Sequence, residues 1–167
     1  MSTTPDPAEA SKTSSALGEQ LGTVVTALVE ETGEGAEVEI DDVREITCLR
    51  PEDDAPQTKT RWIGQVTGPI ASTASANAAL DRIDRRMKEL KWEKDKEVSE
   101  PADGTRRLSF HQGELLATAE ITDAPPHHSL EIFVRSRCTD QPVEHQMQRS
   151  ELDPDYGKNS QYYDDWK

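Results

Sequence analysis

The sequence predicts an α+β domain: two amphipathic helices packed on one face of a mostly antiparallel sheet of five to six strands. Three observations lead there. Two segments carry apolar residues at helical spacing, and several short segments alternate apolar with polar residues. The connections between the alternating segments are short, which makes their neighbours antiparallel. Two helical faces laid on one side of such a sheet give a two-layer fold. The 167 residues suit one domain of ordinary size and show no internal repeat.

The first helix is predicted over about 15–32, where Leu17, Leu21, Val24, Val25, Leu28 and Val29 form one stripe. Gly18 and Gly22 weaken its early part, and Gly33-Glu34-Gly35 ends it. Val38 and Ile40 begin a strand region that continues through Val43, Ile46 and Cys48, with an irregularity at Asp41-Asp42. After the loop 50–57, Trp62, Gly64 and Val66 alternate in a second strand closed by Gly68-Pro69. The second helix runs from about Ser75 to Lys91 on the stripe Ala76, Ala79, Leu80, Ile83, Met87 and Leu90. Ser75 or Asn77 can cap it, and Asp81–Arg85 and Asp84–Lys88 are spaced as i,i+4 ion pairs. Four further alternating segments follow: Glu93–Val98, then one around Leu108 and Phe110, then Leu115–Ile121, then Leu130–Cys138. The turn signals Pro101–Gly104 and Pro125–His128 fall among them.

The expected domain boundaries are a disordered N-terminal stalk at 1–14, a single α+β domain at 15–138 and a C-terminal tail at 139–167. The stalk expectation rests on a polar Pro/Ser/Thr/Ala run with no core-forming residue after Met1. The tail holds seven acids and three basic residues and lacks any helical or strand period. Tyr156, Tyr162, Tyr163, Asp164, Asp165 and Trp166 stand there as the expected partner-binding residues, because Tyr and Trp are frequent interface anchors and the acids attract a basic surface. Docking of the same aromatics on the chain's own domain is the competing expectation.

The N-terminal run resembles the stalk that follows the lipid-modified cysteine of mature bacterial lipoproteins, and a Met1 standing for that cysteine puts Ser2 in register. The order of elements is similar to that of small secreted lipoproteins of high-GC Gram-positive bacteria. The residues that carry this likeness are Cys48, the segment Ala79 to Trp92, and Cys138; Lys91-Trp92 stands where that group more often has a Gly-aromatic pair. The resemblance implies an extracytoplasmic protein with its signal peptide removed, anchored at the outer face of the membrane or secreted. It carries no catalytic residue across. In such a compartment Cys48 and Cys138, each followed by a polar run, are expected to form a disulfide. Closing that span removes about 4–5 kcal/mol of loop entropy from the unfolded chain. Two free thiols in a cytosolic core are the alternative.

The formal charge of −14 repels phosphate backbones and anionic lipid surfaces, so nucleic acid is excluded and a membrane is met only through an N-terminal lipid. No apolar run reaches the ~20 residues that span a bilayer. His127 and His128 are adjacent and point apart in an extended chain, His111 and His145 stand alone, and neither cysteine has a second ligand at metal spacing, so no metal or cofactor is expected. Asp153, Asp155, Asn159, Gln161 and Asp164 fall at oxygen-ligand positions of a calcium-type loop, but Lys158 occupies the place that needs Gly. No nucleophile elbow or phosphate loop occurs. These readings make the chain a non-catalytic binding or structural domain for an unknown protein, peptide or cell-wall partner. An acidic inhibitor or immunity-type protein that fills a basic site is the alternative.

Overall fold

The computed structural model describes residues 6–100, 105–124 and 127–165. Among them are two α-helices and seven strands. Helix α1 spans Pro7–Glu31, β1 Glu39–Thr47 and β2 Lys59–Pro69; α2 spans Thr73–Glu89. Then come β3 (Glu93–Glu100), β4 (Thr105–Gln112), β5 (Leu115–Ala124), β6 (His127–Ser136) and the two-residue β7 (Thr139–Asp140). The sheet order is β1-β2-β6-β5-β4-β3, with β7 also on β2, and its neighbours are antiparallel. The strand count exceeds the expected range because the chain pairs once more, with the start of β2, just after Cys138. The turns 101–104 and 125–126 lie outside the described residues.

The helix-facing side of the sheet is the core. Val43, Trp62, Val66, Leu108, Phe110, Leu115, Ala117, Ile132 and Val134 pack there against Leu21, Val25, Leu28, Leu80, Ile83 and Met87. Alternation in the strands and the 3.6-residue stripe in the helices supply the two surfaces. The irregularity expected at Asp41-Asp42 is a bulge, which shifts the β1–β2 register between Ile40 and Asp42. Gly18 has a packing reason: any side chain there would overlap the Trp62 ring.

Three expectations are corrected. First, α1 begins at Pro7, so residues 7–14, expected as stalk, are helical and pack, with Ala10 and Ser14 buried. Asp6 caps the helix, its Oδ1 accepting from Ala8 N at 2.9 Å, and Pro7 takes the first position, where its missing N–H costs nothing. Second, α2 is capped by Ser72, which accepts from Ser75 N. Third, Asp81 and Asp84 of α2 bond to the sheet and not along the helix: Asp81 pairs with Arg106 on β4 at 2.9 Å and Asp84 with Lys94 on β3 at 3.0 Å. The strands bring those cations closer than the next helical turn does.

Candidate functional site

The expected free tail is fastened to the outer edge of β1. Backbone bonds run from Glu45 N to Gln148 O (2.8 Å) and from Ser150 N to Val43 O (2.9 Å), so residues 148–150 lie against β1 much as a short added strand would. A strand edge offers unpaired N–H and C=O groups, and this segment satisfies them.

Side chains complete the attachment. Glu45 is buried on the helix-facing side of β1, its side chain 1% exposed. It accepts from Ser14 Oγ at 3.1 Å, from Thr60 Oγ1, from His145 Nε2 at 2.6 Å and from Gln148 N at 3.1 Å. One carboxylate thus ties α1, β1, β2 and the C-terminal segment together. Trp62 Nε1 donates to Ser14 Oγ at 3.0 Å, extending the network into the core. Ser14 Oγ and His145 Nε2 bond different oxygens of Glu45, which joins them through one carboxylate. The trio is built as a clamp.

On the outward side, Arg44 bonds both oxygens of the buried Asp153 at 2.9 Å, and Asp153 Oδ2 also accepts from Val43 N at 2.8 Å. Asp155 bonds Arg44 and Lys158, and the hydrogen bond from Lys158, with that from Arg44, holds its carboxyl down at about 2. Burial raises Asp42 beside them. Further along, Arg149 bonds both oxygens of Asp165 and stacks over Tyr163 at 4.7 Å. Burial alone would raise Asp165, but the bonds from Arg149 and from Gly157 N hold it below the carboxylate range. Tyr163 donates to Glu45 O at 2.7 Å, and burial pushes its hydroxyl up. The calcium-type spacing is thereby used otherwise: the oxygens of Asp153 and Asp155 face cationic side chains.

The expected site residues divide accordingly. Cys48 and Cys138 form the disulfide, with Cα atoms 6.2 Å apart. Tyr163 and Asp165 are engaged within the chain, as docking on the chain's own domain implies. Tyr156 and Tyr162 stay exposed at 43% and 46%. Asp164 is exposed, and Trp166 lies outside the described residues. Among the described residues the exposed large apolar side chains are Val143, Leu152, Tyr156 and Tyr162, all in the C-terminal segment. Leu152 borders an open groove of about 810 Å³ floored by Trp62 and lined by Gly18, Gly22, Thr26 and Gln148. Sequence reasoning missed Ser14, Arg44, Glu45, His145, Arg149 and Asp153, whose partnerships are mostly long-range and leave no local pattern.

No known protein family matches the chain, and no curated protein matches it. Among solved structures it is similar to that of the putative lipoprotein LppA from Mycobacterium tuberculosis, at 10% identity and a TM-score of 0.45, over 79% of this chain and 78% of that one. Among the described residues no helix is long and apolar enough to cross a membrane, and no group of three or more His, Cys, Asp or Glu side chains is placed to hold a metal.

Proposed function

We propose that this chain is an extracytoplasmic, non-catalytic binding domain, held at the membrane by an N-terminal lipid on its native precursor, and that its C-terminal segment presents the contact surface. The observation that carries the reading is the placement of Val143, Leu152, Tyr156 and Tyr162, the exposed large apolar side chains, on one short segment. Large apolar groups left in water on a segment that is otherwise bonded down residue by residue mark an interface. Tyr anchors such surfaces because it offers an apolar ring with a polar tip. The partner is a protein, peptide or cell-wall component. The Cys48–Cys138 disulfide supports the compartment, since disulfides persist where thiols are not kept reduced.

The test is site-specific photo-crosslinking in the native host. A crosslinker at Tyr162 or Tyr156 should capture a partner, while one at the exposed Lys88 on α2 should not. Equal yields at the three positions would discard the segment as the contact surface. Alkylation of protein taken directly from cells should find no free thiol, and fatty-acid labelling should mark the N-terminus. Two alkylated cysteines or an unlabelled cytosolic product would discard the compartment.

A further inference from the structure

The face of the sheet turned away from the helices has its own pattern. On β2, Arg61, Ile63 and Gln65 alternate with Thr60, Trp62, Gly64 and Val66, which face the helices. On β6, Glu131, Phe133 and Arg135 alternate with the buried Leu130, Ile132, Val134 and Ser136. The register sets Ile63, Arg135, Leu116 and His111 in one row across four strands. Phe133, Leu116, Thr118 and Ser109 form a shallow hollow of about 190 Å³, with Arg135 and Asp95 on its rim.

Cationic and apolar side chains share this face. Acids outnumber bases 33 to 19, and some basic side chains of this face pair with them. Arg44, Arg107 and His111 pair with Asp153, Glu120 and Asp95. The guanidinium groups of Arg61, Arg135 and Arg137 meet neither a carboxylate nor another hydrogen-bond acceptor among the described residues. The Nε of Arg61 is also buried without an acceptor, a state that native proteins avoid unless something supplies the bond. The three arginines are neighbours. Ile63 pairs with Arg135 and Thr60 with Thr139, which sets Arg61 beside residues 137–138 at the disulfide end of the sheet.

We propose that this face docks an acidic peptide segment of a partner protein: Arg61, Arg135 and Arg137 take its carboxylates, and one large apolar side chain settles on Phe133 and Leu116. A guanidinium grips a carboxylate with two parallel bonds, and arginines beside an aromatic ring form effective anchors. A peptide fits better than a polymer of closely spaced phosphates or sulfates, because Asp95, Glu120 and Glu131 share the face and repel continuous negative charge. The site shares no residue with the exposed C-terminal surface and stands or falls apart from it.

The experiment pans a random short-peptide display library on the full chain, then measures the recovered peptides by fluorescence anisotropy at low and moderate salt. The recovered sequences should be enriched in Asp and Glu around one large apolar residue, and should bind more weakly as salt rises. Arg135→Glu, at an exposed position, should weaken binding about ten-fold or more. Arg85→Glu, exposed on α2 and equal in net charge change, should leave it unchanged, with thermal midpoints confirming that both variants fold. Phe133→Ser should weaken peptides that carry the apolar residue more than purely acidic ones. Recovery without acidic enrichment, or equal weakening by Arg85→Glu, overturns the proposal. Polyphosphate or heparin binding lost in Arg135→Glu, with no acidic peptide recovered, assigns the face to an anionic polymer instead. Self-association lost in the same variant assigns it to a second copy of the chain.

Discussion

The two edges of the sheet solve one problem in different ways. The β1 edge is covered: the C-terminal segment supplies backbone partners, and buried charges clamp it through Glu45–His145, Arg44–Asp153 and Arg149–Asp165. The β3 edge carries Glu93, Lys94, Asp95, Lys96 and Glu97 in a row and a bulge between Lys94 and Lys96. Its ion pairs, Lys94–Glu97 and Arg106–Glu97 among them, are formed by partly or largely exposed groups. Charge and a bulge discourage a strand from adding there without any covering segment. Similar counts of charged groups therefore do different work: on one edge they fix a single arrangement in a dry environment, and on the other they keep the edge wet.

The largest effect should come from the clamp. Glu45→Ala leaves His145, Ser14, Thr60 and Gln148 N without their shared acceptor in a buried place. We expect a loss of about 3–5 kcal/mol in urea unfolding. Amide exchange through 145–165 should rise before that of β2 or β6. A loss below about 1 kcal/mol would mean that the segment merely rests on the edge.

Acid should act next, and salt should separate the edges. Asp155 and Asp165 on the covered edge, and Glu97 on the open one, are held below their ordinary values, Glu97 by its hydrogen bonds from Lys94 and then Arg106. A carboxylate depressed in the folded state adds stability that is complete above its ordinary pKa and disappears as pH falls through the folded value. For Asp155 that window runs from 3.8 down to about 2. Asp42, raised by burial, has the opposite sign and offsets part of the loss. Protection factors in residues 150–165, the observed exchange divided into the intrinsic rate at each pH, should therefore fall as pH falls through this window. The β3 contribution should fade in high salt, and that of the less exposed Arg149–Asp165 pair should persist. A flat profile in both salts would show that these pairs do not hold the segment.

The two-layer fold and the second helix were legible because each has a periodic signal: Leu80, Ile83 and Met87 recur on one face, and the strands alternate. The start of α1 had a signal as well, Asp6 before Pro7, but Ser14 on its buried face reads as polar. Only the fold reveals that Ser14 bonds Glu45 and Trp62. The docking of 141–165 had no such signal. It uses ion pairs and backbone bonds, which have no period, and Glu45 and His145 are 100 residues apart. Composition therefore suggested a free tail where long-range charge pairing makes a fastened one.

Lys91 gives a smaller test, at the entry to the open edge. It is the non-glycine residue with positive φ among the described residues, at 66°. Lys91 N bonds Lys88 O at 3.1 Å and Trp92 N bonds Met87 O at 2.9 Å, a Schellman ending with Trp92 and Met87 both buried. This geometry favours Gly at the left-handed position and an apolar residue after it. Lys91→Gly should raise stability by about 1 kcal/mol in thermal unfolding. A loss would show that the lysine stem packs usefully at the helix end.

The smallest effect should come from Glu97→Ala on β3. The side chain joins Lys94 at 2.9 Å and Arg106 at 2.8 Å, two bonds where Glu45 accepts four. Its exposure widens that difference. With 36% of the side chain in water, removing Glu97 lets water solvate both cations, and each keeps a second acid: Lys94 has Asp84 and Arg106 has Asp81. The expected loss is about 0.2–1 kcal/mol, shrinking further in high salt. A double-mutant cycle with Lys94→Ala should give a coupling of similar size. A loss approaching that of Glu45→Ala would end the distinction between the two edges and place a cooperative charge network on β3. The predicted gap of several-fold exceeds the two-fold difference in hydrogen bonds, and burial supplies the rest.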